Sequence, residues 1–167
     1  MNDELTQVDI QKMQEEIQYR QHVQRPKIVE DVQTARAFGD LSENYEYKAA
    51  KQELRRCDSR LRYLKRMIAS AKVISVSSAQ DEVGLFDKVE LYYEDDDETE
   101  TIELTTTLRN DVFHQCISKE SPLGRAVMGK KVGDRVQVVA SDTVSYYVVI
   151  KKIEKGTDDT SLEIRKF

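Results

Sequence analysis

The chain has 167 residues, 34% of them charged and 7% aromatic, with no tryptophan and a net charge of −5. That length suffices for one domain or two small ones, and the composition predicts a helix-rich, water-facing protein. No apolar run approaches the roughly 18 residues that span a bilayer. Cys57 and Cys116 form no metal or redox motif and no signal-peptide pattern is seen, so reduced thiols in a cytoplasmic protein are expected. The charge is divided unevenly. Residues 1–72 hold 14 Lys+Arg and 12 Asp+Glu, whereas residues 73–167 hold 12 and 19, the asymmetry of two modules with different roles.

A first helix is predicted to start near Thr6, with Thr6 or Asp9 as its cap. Ile10, Met13 and Ile17 begin an apolar seam, and Ile28, Val32 and Ala35 resume it. Between them sits Pro26, which lacks an N–H and predicts a kink. Gly39 is a terminator, since it can take the left-handed conformation that ends helices. Residues 41–72 contain no proline or glycine. Within them Tyr47, Ala50, Leu54, Cys57, Leu61, Leu64, Ile68 and Ala71 recur at alternating intervals of three and four. This is an a/d seam, and such a helix extends on the order of 45 Å. With only a residue or two for the turn, the helices must run antiparallel, which predicts an intramolecular hairpin and a monomer.

From Val73 the period changes to two. Residues 73–76 start extended, and residues 85–93 and 99–105 read as strands around the acidic turn at 94–98. Residues 135–140 and 146–153 form a second pair. Ser121-Pro122 opens a short helix over 123–128, with serine as cap and proline at the first helical position, and Gly129 closes it. Residues 155–167 read as a polar tail or an added edge strand. The expected class is α+β: an antiparallel helical coiled-coil hairpin over 1–75, then a small antiparallel β-sheet domain with one short helix over 76–167.

Two features carry chemistry. Asp40 and Glu43 lie where the first helix stops and the second starts. Their spacing is that of a capping box, with Asp40 as N-cap, and equally that of an acidic pair presented on a stiff rod. Nine basic residues follow between 48 and 72, offset only by Glu53 and Asp58. They form either a solvated face or a cation track for RNA phosphates. Asp95, Asp96 and Asp97 lack calcium-loop spacing and read as a solvated turn. His22 and His114 are isolated. No His/Cys cluster, phosphate-binding glycine loop or nucleophile–base pair is present, so no self-sufficient catalytic centre is expected.

Gly39-Asp40-Leu41-Ser42-Glu43-Asn44, with Glu46-Tyr47 and Ala49-Ala50-Lys51, resembles the signature of the bacterial Gre transcript cleavage factors. Ser121-Pro122-Leu123-Gly124-Arg125-Ala126 with Met128-Gly129-Lys130 is similar to a second motif of that family. Gly133-Asp134 and Arg25-Pro26 with Ile28 also fit, so the resemblance spans about residues 8–154. It implies an FKBP-like globular domain that docks at the rim of the secondary channel of bacterial RNA polymerase. The hairpin would thread to the polymerase active site, where its tip acids help hold a second catalytic Mg²⁺ and orient water. The polymerase then cuts the 3′ end of a backtracked transcript. By position, Asp40 and Glu43 are the catalytic tip acids and shared Mg²⁺ ligands, with no metal expected in the free protein. Glu120, Ser121 and Pro122 form the docking element. Arg36 and Lys51 join the basic surface facing the 3′ extruded RNA, together with Lys48, Arg55, Arg56 and Arg60 of the track. The protein would be an accessory factor, the catalytic centre belonging mostly to the polymerase. The alternatives are a Gre-like paralogue that inhibits or modulates the polymerase through the same channel, and a coiled-coil scaffold with an FKBP-like binding domain. Retention of both acids speaks against pure inhibition.

Overall fold

The computed structural model describes residues 3–39, 43–158 and 161–165. They fall into two units. Ile10–Ala71 form one, and the residues up to Asp9 join those from Lys72 onward in the other. The sequence boundary at 75/76 had assigned that N-terminal segment to the hairpin. Among the described residues no helix is long and apolar enough to cross a membrane.

α1 (Gln7–Tyr19), whose first residues belong to the globular unit, runs into a π-helical segment, Arg20–Gln24, and then α2 (Arg25–Arg36), and α3 (Tyr45–Ser70) returns. The start of α1 is a reciprocal cap. Thr6 N donates to Asp9 Oδ2 at 3.0 Å and Asp9 N donates to Thr6 Oγ1 at 3.3 Å. The π segment accounts for the broken seam. Continuing 10, 13 and 17 by heptads leads to 27 and 34, but the buried positions are Ile28 and Ala35, one residue later. A π turn absorbs one extra residue. Pro26 follows directly on this segment: the helix is continuous across the junction, where Gln24 and Arg25 keep helical dihedrals and Arg25 N donates to the Arg20 carbonyl, so the irregularity lies beside the residue that lacks an N–H.

Across the hairpin, residue 16 bonds to 60, 25 to 58 and 35 to 44, the falling order of antiparallel helices. Cys57, Leu61 and Leu64 are buried as the seam requires. The second helix is shorter than expected: its 26 residues extend about 39 Å.

One polar cluster ties the hairpin's register. Glu16 accepts from Arg60 Nε at 2.9 Å and Nη2 at 3.0 Å, and from Arg20 Nε at 2.7 Å. Burial pushes the Glu16 carboxyl up, but the hydrogen bonds and charges of Arg60 and Arg20 outweigh it and hold the group below the usual glutamate range. A depressed carboxylate stabilises the fold above its unfolded pKa of roughly 4.3, and that contribution fades as pH falls through the folded value. Glu16→Gln should therefore lower hairpin stability by about 1–3 kcal/mol at pH 7 and by much less near pH 3. Helical circular dichroism through a urea titration at the two pH values checks this. An equal loss at both would assign the effect to packing instead.

In the globular unit, β1 (Glu4–Leu5) and β2 (Lys72–Val73) pair in parallel. The main sheet contains β3 (Lys88–Tyr93), β4 (Glu98–Thr105), β5 (Cys116–Ser118), β6 (Arg135–Val139) and β7 (Ser145–Glu154), in the order β5-β4-β3-β7-β6. Alternation makes the core: Val89, Leu91, Ile102, Leu104, Val136, Val138, Val148 and Ile150 point to one face, which α4 (Pro122–Val127) covers with Val127 and Leu123. The sheet is mixed, contrary to the all-antiparallel expectation, because β5 pairs in parallel with β4. Two short 3₁₀ turns, Thr107–Arg109 and Val112–His114, carry the chain back to allow it. Residues 155–158 form no edge strand. Instead, Lys155 Nζ reaches Asp87 at 2.6 Å and the Glu82 carbonyl at 2.9 Å, and Gly156 N donates to Asp87 at 2.9 Å.

Arg109 is the largest fully buried side chain among the described residues. Its Nε donates to Asp9 Oδ1 at 2.6 Å and its Nη2 to Thr6 Oγ1 at 3.0 Å. Asp158 Oδ1 lies at ion-pair distance, 2.6 Å, without hydrogen-bond geometry. The Phe86 ring closes the guanidinium's face at 4.6 Å.

Candidate functional site

The hairpin turn is built from both sides. Gly39 has φ +116°, open only to glycine without strain, and it follows directly on the last, frayed turn of α2. On the other side Asn44 adopts an extended backbone, φ −83° and ψ 94°, and its side-chain oxygen accepts from Tyr47 N at 3.0 Å. Asn44 is thus the N-cap of α3, a role the sequence offered to Asp40. Glu43 lies in the turn just before the cap, exposed and outside the helix. Asp40 lies outside the described residues.

Behind the turn the sequence-predicted cations separate. At 100° per residue Lys48, Lys51, Arg55, Arg62 and Arg66 fall within about 60° of one another, opposite the seam of Cys57, Leu61 and Leu64. Lys48, Arg55, Arg62 and Arg66 are exposed, and Lys51 is half-buried. Lys48 Nζ sits 5.6 Å from the Tyr45 ring centre and Lys51 Nζ 5.1 Å from that of Tyr47, so each cation is held over a ring one turn away. Tyr45 is 81% exposed. Arg56 is exposed beside Glu53 at 3.8 Å, and Arg36 is exposed in the last turn of α2. Arg60 departs from the expectation. It flanks the seam, is 3% exposed and is bound to Glu16, so it is a cross-link of the hairpin and not part of a surface for RNA. Its angle on the helix would have revealed this.

The predicted docking residues form a stiff exposed corner on the globular unit. Ser121 Oγ accepts from Gly124 N at 3.0 Å and donates to the Ser118 carbonyl at 2.7 Å, and Glu120 N donates to Ser118 Oγ at 3.1 Å. Gly124 is required, since a Cβ there would come within 2.1 Å of the Ser118 carbonyl. Glu120 and Pro122 are exposed, with Arg125 and Lys119 3.5 and 3.6 Å from the Glu120 carboxylate. Beside this corner runs a groove of about 530 Å³ lined by Val76, Ser78, Lys119, Glu120, Arg125 and Met128.

Residues 4–73 match the family model "Transcription elongation factor, N-terminal" and residues 69–155 match "Transcription elongation factor, GreA/GreB, C-term". The chain is 38% identical over 148 residues to the transcription elongation factor GreA of Rhizobium etli strain CIAT 652, covering 88% of this chain and 94% of that one. It is 38% identical over 147 residues to that of Agrobacterium fabrum, covering 87% and 93%. Among solved structures it is similar to Thermus aquaticus Gfh1, at 19% identity and a TM-score of 0.43 over 92% of this chain and 99% of that one. That overlap is too slight to bear on function.

Proposed function

The chain belongs to the GreA/GreB family of transcription elongation factors, and from that premise we propose that it stimulates cleavage of the 3′ end of backtracked transcripts by lending Asp40 and Glu43 to the active site of bacterial RNA polymerase. The observation that carries this reading is Glu43: exposed, at the end of a two-helix rod, and relieved of helix capping by Asn44. A carboxylate so placed fits Mg²⁺, which prefers oxygen ligands, keeps several waters and commonly takes only one or two protein carboxylates. A second metal ion in such a site activates the attacking oxygen or stabilises the leaving one. The chain's own work is to hold Glu43 outward, to carry it on a stiff support, and to dock through the Glu120–Ser121–Pro122 corner. In this reading the protein is a factor and the bond is cut in the partner.

The test is a stalled, backtracked bacterial elongation complex with Mg²⁺, to which the protein is added. Shortened transcripts that resume elongation support the proposal. Slowed elongation without shortening overturns it in favour of a modulator, and absence of binding leaves a scaffold.

The exposed stripe is the proposed path for extruded RNA. Replacing Lys48, Arg55 and Arg62 together by alanine should reduce cleavage about tenfold on complexes backtracked by many nucleotides, and far less on those backtracked by one or two. The salt dependence on long RNA should flatten, because fewer phosphates are neutralised. Equal loss on both substrates with an unchanged salt slope would remove RNA from this face. Arg60 stays in place in this variant, since its loss would remove the two hydrogen bonds that half-buried Glu16 accepts across the hairpin.

A further inference from the structure

The Asn44 side chain does more than cap a helix. While Oδ1 accepts from Tyr47 N on α3, Nδ2 donates 2.7 Å to the Ala35 carbonyl on α2, nine residues back. The partners fix which atom is which: a backbone N–H can only donate and a carbonyl only accept. Ala35 O also accepts from Phe38 N at 3.3 Å, so both its lone pairs are used where α2 ends. One amide therefore joins the last turn of one helix to the first turn of the other. Glu43 is the residue immediately before this clamp.

We infer that Asn44 is the positioning residue of the tip: its two hydrogen bonds set the direction in which Glu43 leaves the hairpin, and hence the fit of that carboxylate to the partner's metal. This rests on the reading that Glu43 acts at that metal. Asn44 itself touches neither metal nor RNA in this account. Its role follows from the demand for placement, since a displacement of about 1 Å at a reacting centre can lower rate a hundredfold.

Two substitutions separate positioning from capping. Asn44→Ser keeps an acceptor for the Tyr47 N–H, as serine is a good N-cap, but is too short to reach Ala35. Asn44→Ala loses both bonds. Each is compared with wild type for thermal midpoint, polymerase affinity, and cleavage rate of a backtracked complex across a Mg²⁺ titration at saturating factor. If Asn44 positions the tip, the serine variant matches wild type in midpoint and affinity. Its cleavage then falls about tenfold or more, as far as in the alanine variant, and half-maximal Mg²⁺ rises several-fold. If Asn44 is a cap alone, the serine variant cleaves like wild type, or loses cleavage only in step with midpoint and affinity, and the inference is overturned. Glu43→Gln runs alongside. If it cleaves normally, the role of Glu43 itself fails. If it is inactive while Asn44→Ser is normal, only the positioning role fails.

Discussion

Asp40→Asn/Glu43→Gln is expected to lower transcript cleavage by about a hundredfold or more while leaving polymerase affinity within a few fold. Each change keeps the side chain's shape and removes its charge, so it targets metal affinity and the electrostatics of the attacking water. Affinity should survive because the proposed docking corner, Glu120–Ser121–Pro122, is on the other unit. The hairpin should survive as well, because the cap of α3 is Asn44 and Glu43 lies outside the helix. Gel-resolved cleavage of a backtracked complex, with affinity measured by competition against wild type, gives both quantities. A loss of affinity or helicity in step with cleavage would return these acids to a structural role.

The second large effect concerns stability. Arg109→Met should destabilise the globular unit by about 3–5 kcal/mol. Methionine fills much of the volume, but Asp9, with a side chain fully buried, loses its cationic partner, and so does the nearly buried Asp158. An unpaired carboxylate in that setting must either stay charged in a poor solvent or take up a proton. Adding Asp9→Asn to Arg109→Met should recover part of the loss by removing one stranded charge. Tyr93 and Tyr146 stack with ring centres 6.0 Å apart against the core, so near-ultraviolet circular dichroism in urea follows this unit. A double variant less stable than the single one would show that the ion pair is not the source.

What could be read from the sequence was whatever repeats. The a/d seam of α3 and the alternation of β3, β6 and β7 are periodic over many residues, and the periodicity survives in the burial of Cys57, Leu61 and Leu64 and of Val136 and Val138. Ser121-Pro122 was legible because its capping chemistry is local. The features that escaped are single events. A one-residue phase slip marks the π segment that precedes Pro26. Two-residue strands such as Glu4–Leu5 have no period at all. The parallel return of β5 depends on two 3₁₀ turns whose residues look like loop. Arg109 reads as one more surface cation until Asp9, a hundred residues earlier, is placed beside it. At the tip, the capping-box spacing of Asp40 and Glu43 points to Asp40 as the cap. Only the observed start of α3 at Tyr45 selects Asn44.

The parallel pairing of β1 with β2 makes the helical hairpin an insertion within the other unit, entered after Asp9 and left at Lys72. During synthesis the first strand emerges with no partner and waits while roughly sixty residues follow. Bringing the ends of so long a flexible segment together carries a closure entropy that grows with the logarithm of its length. An antiparallel hairpin that forms first delivers those ends as near neighbours, so the local, fast-forming helices act as the splint on which the slow, long-range sheet is completed. The hairpin is thereby a folding aid as well as a reach, and the order of assembly follows from the two short strands that flank it.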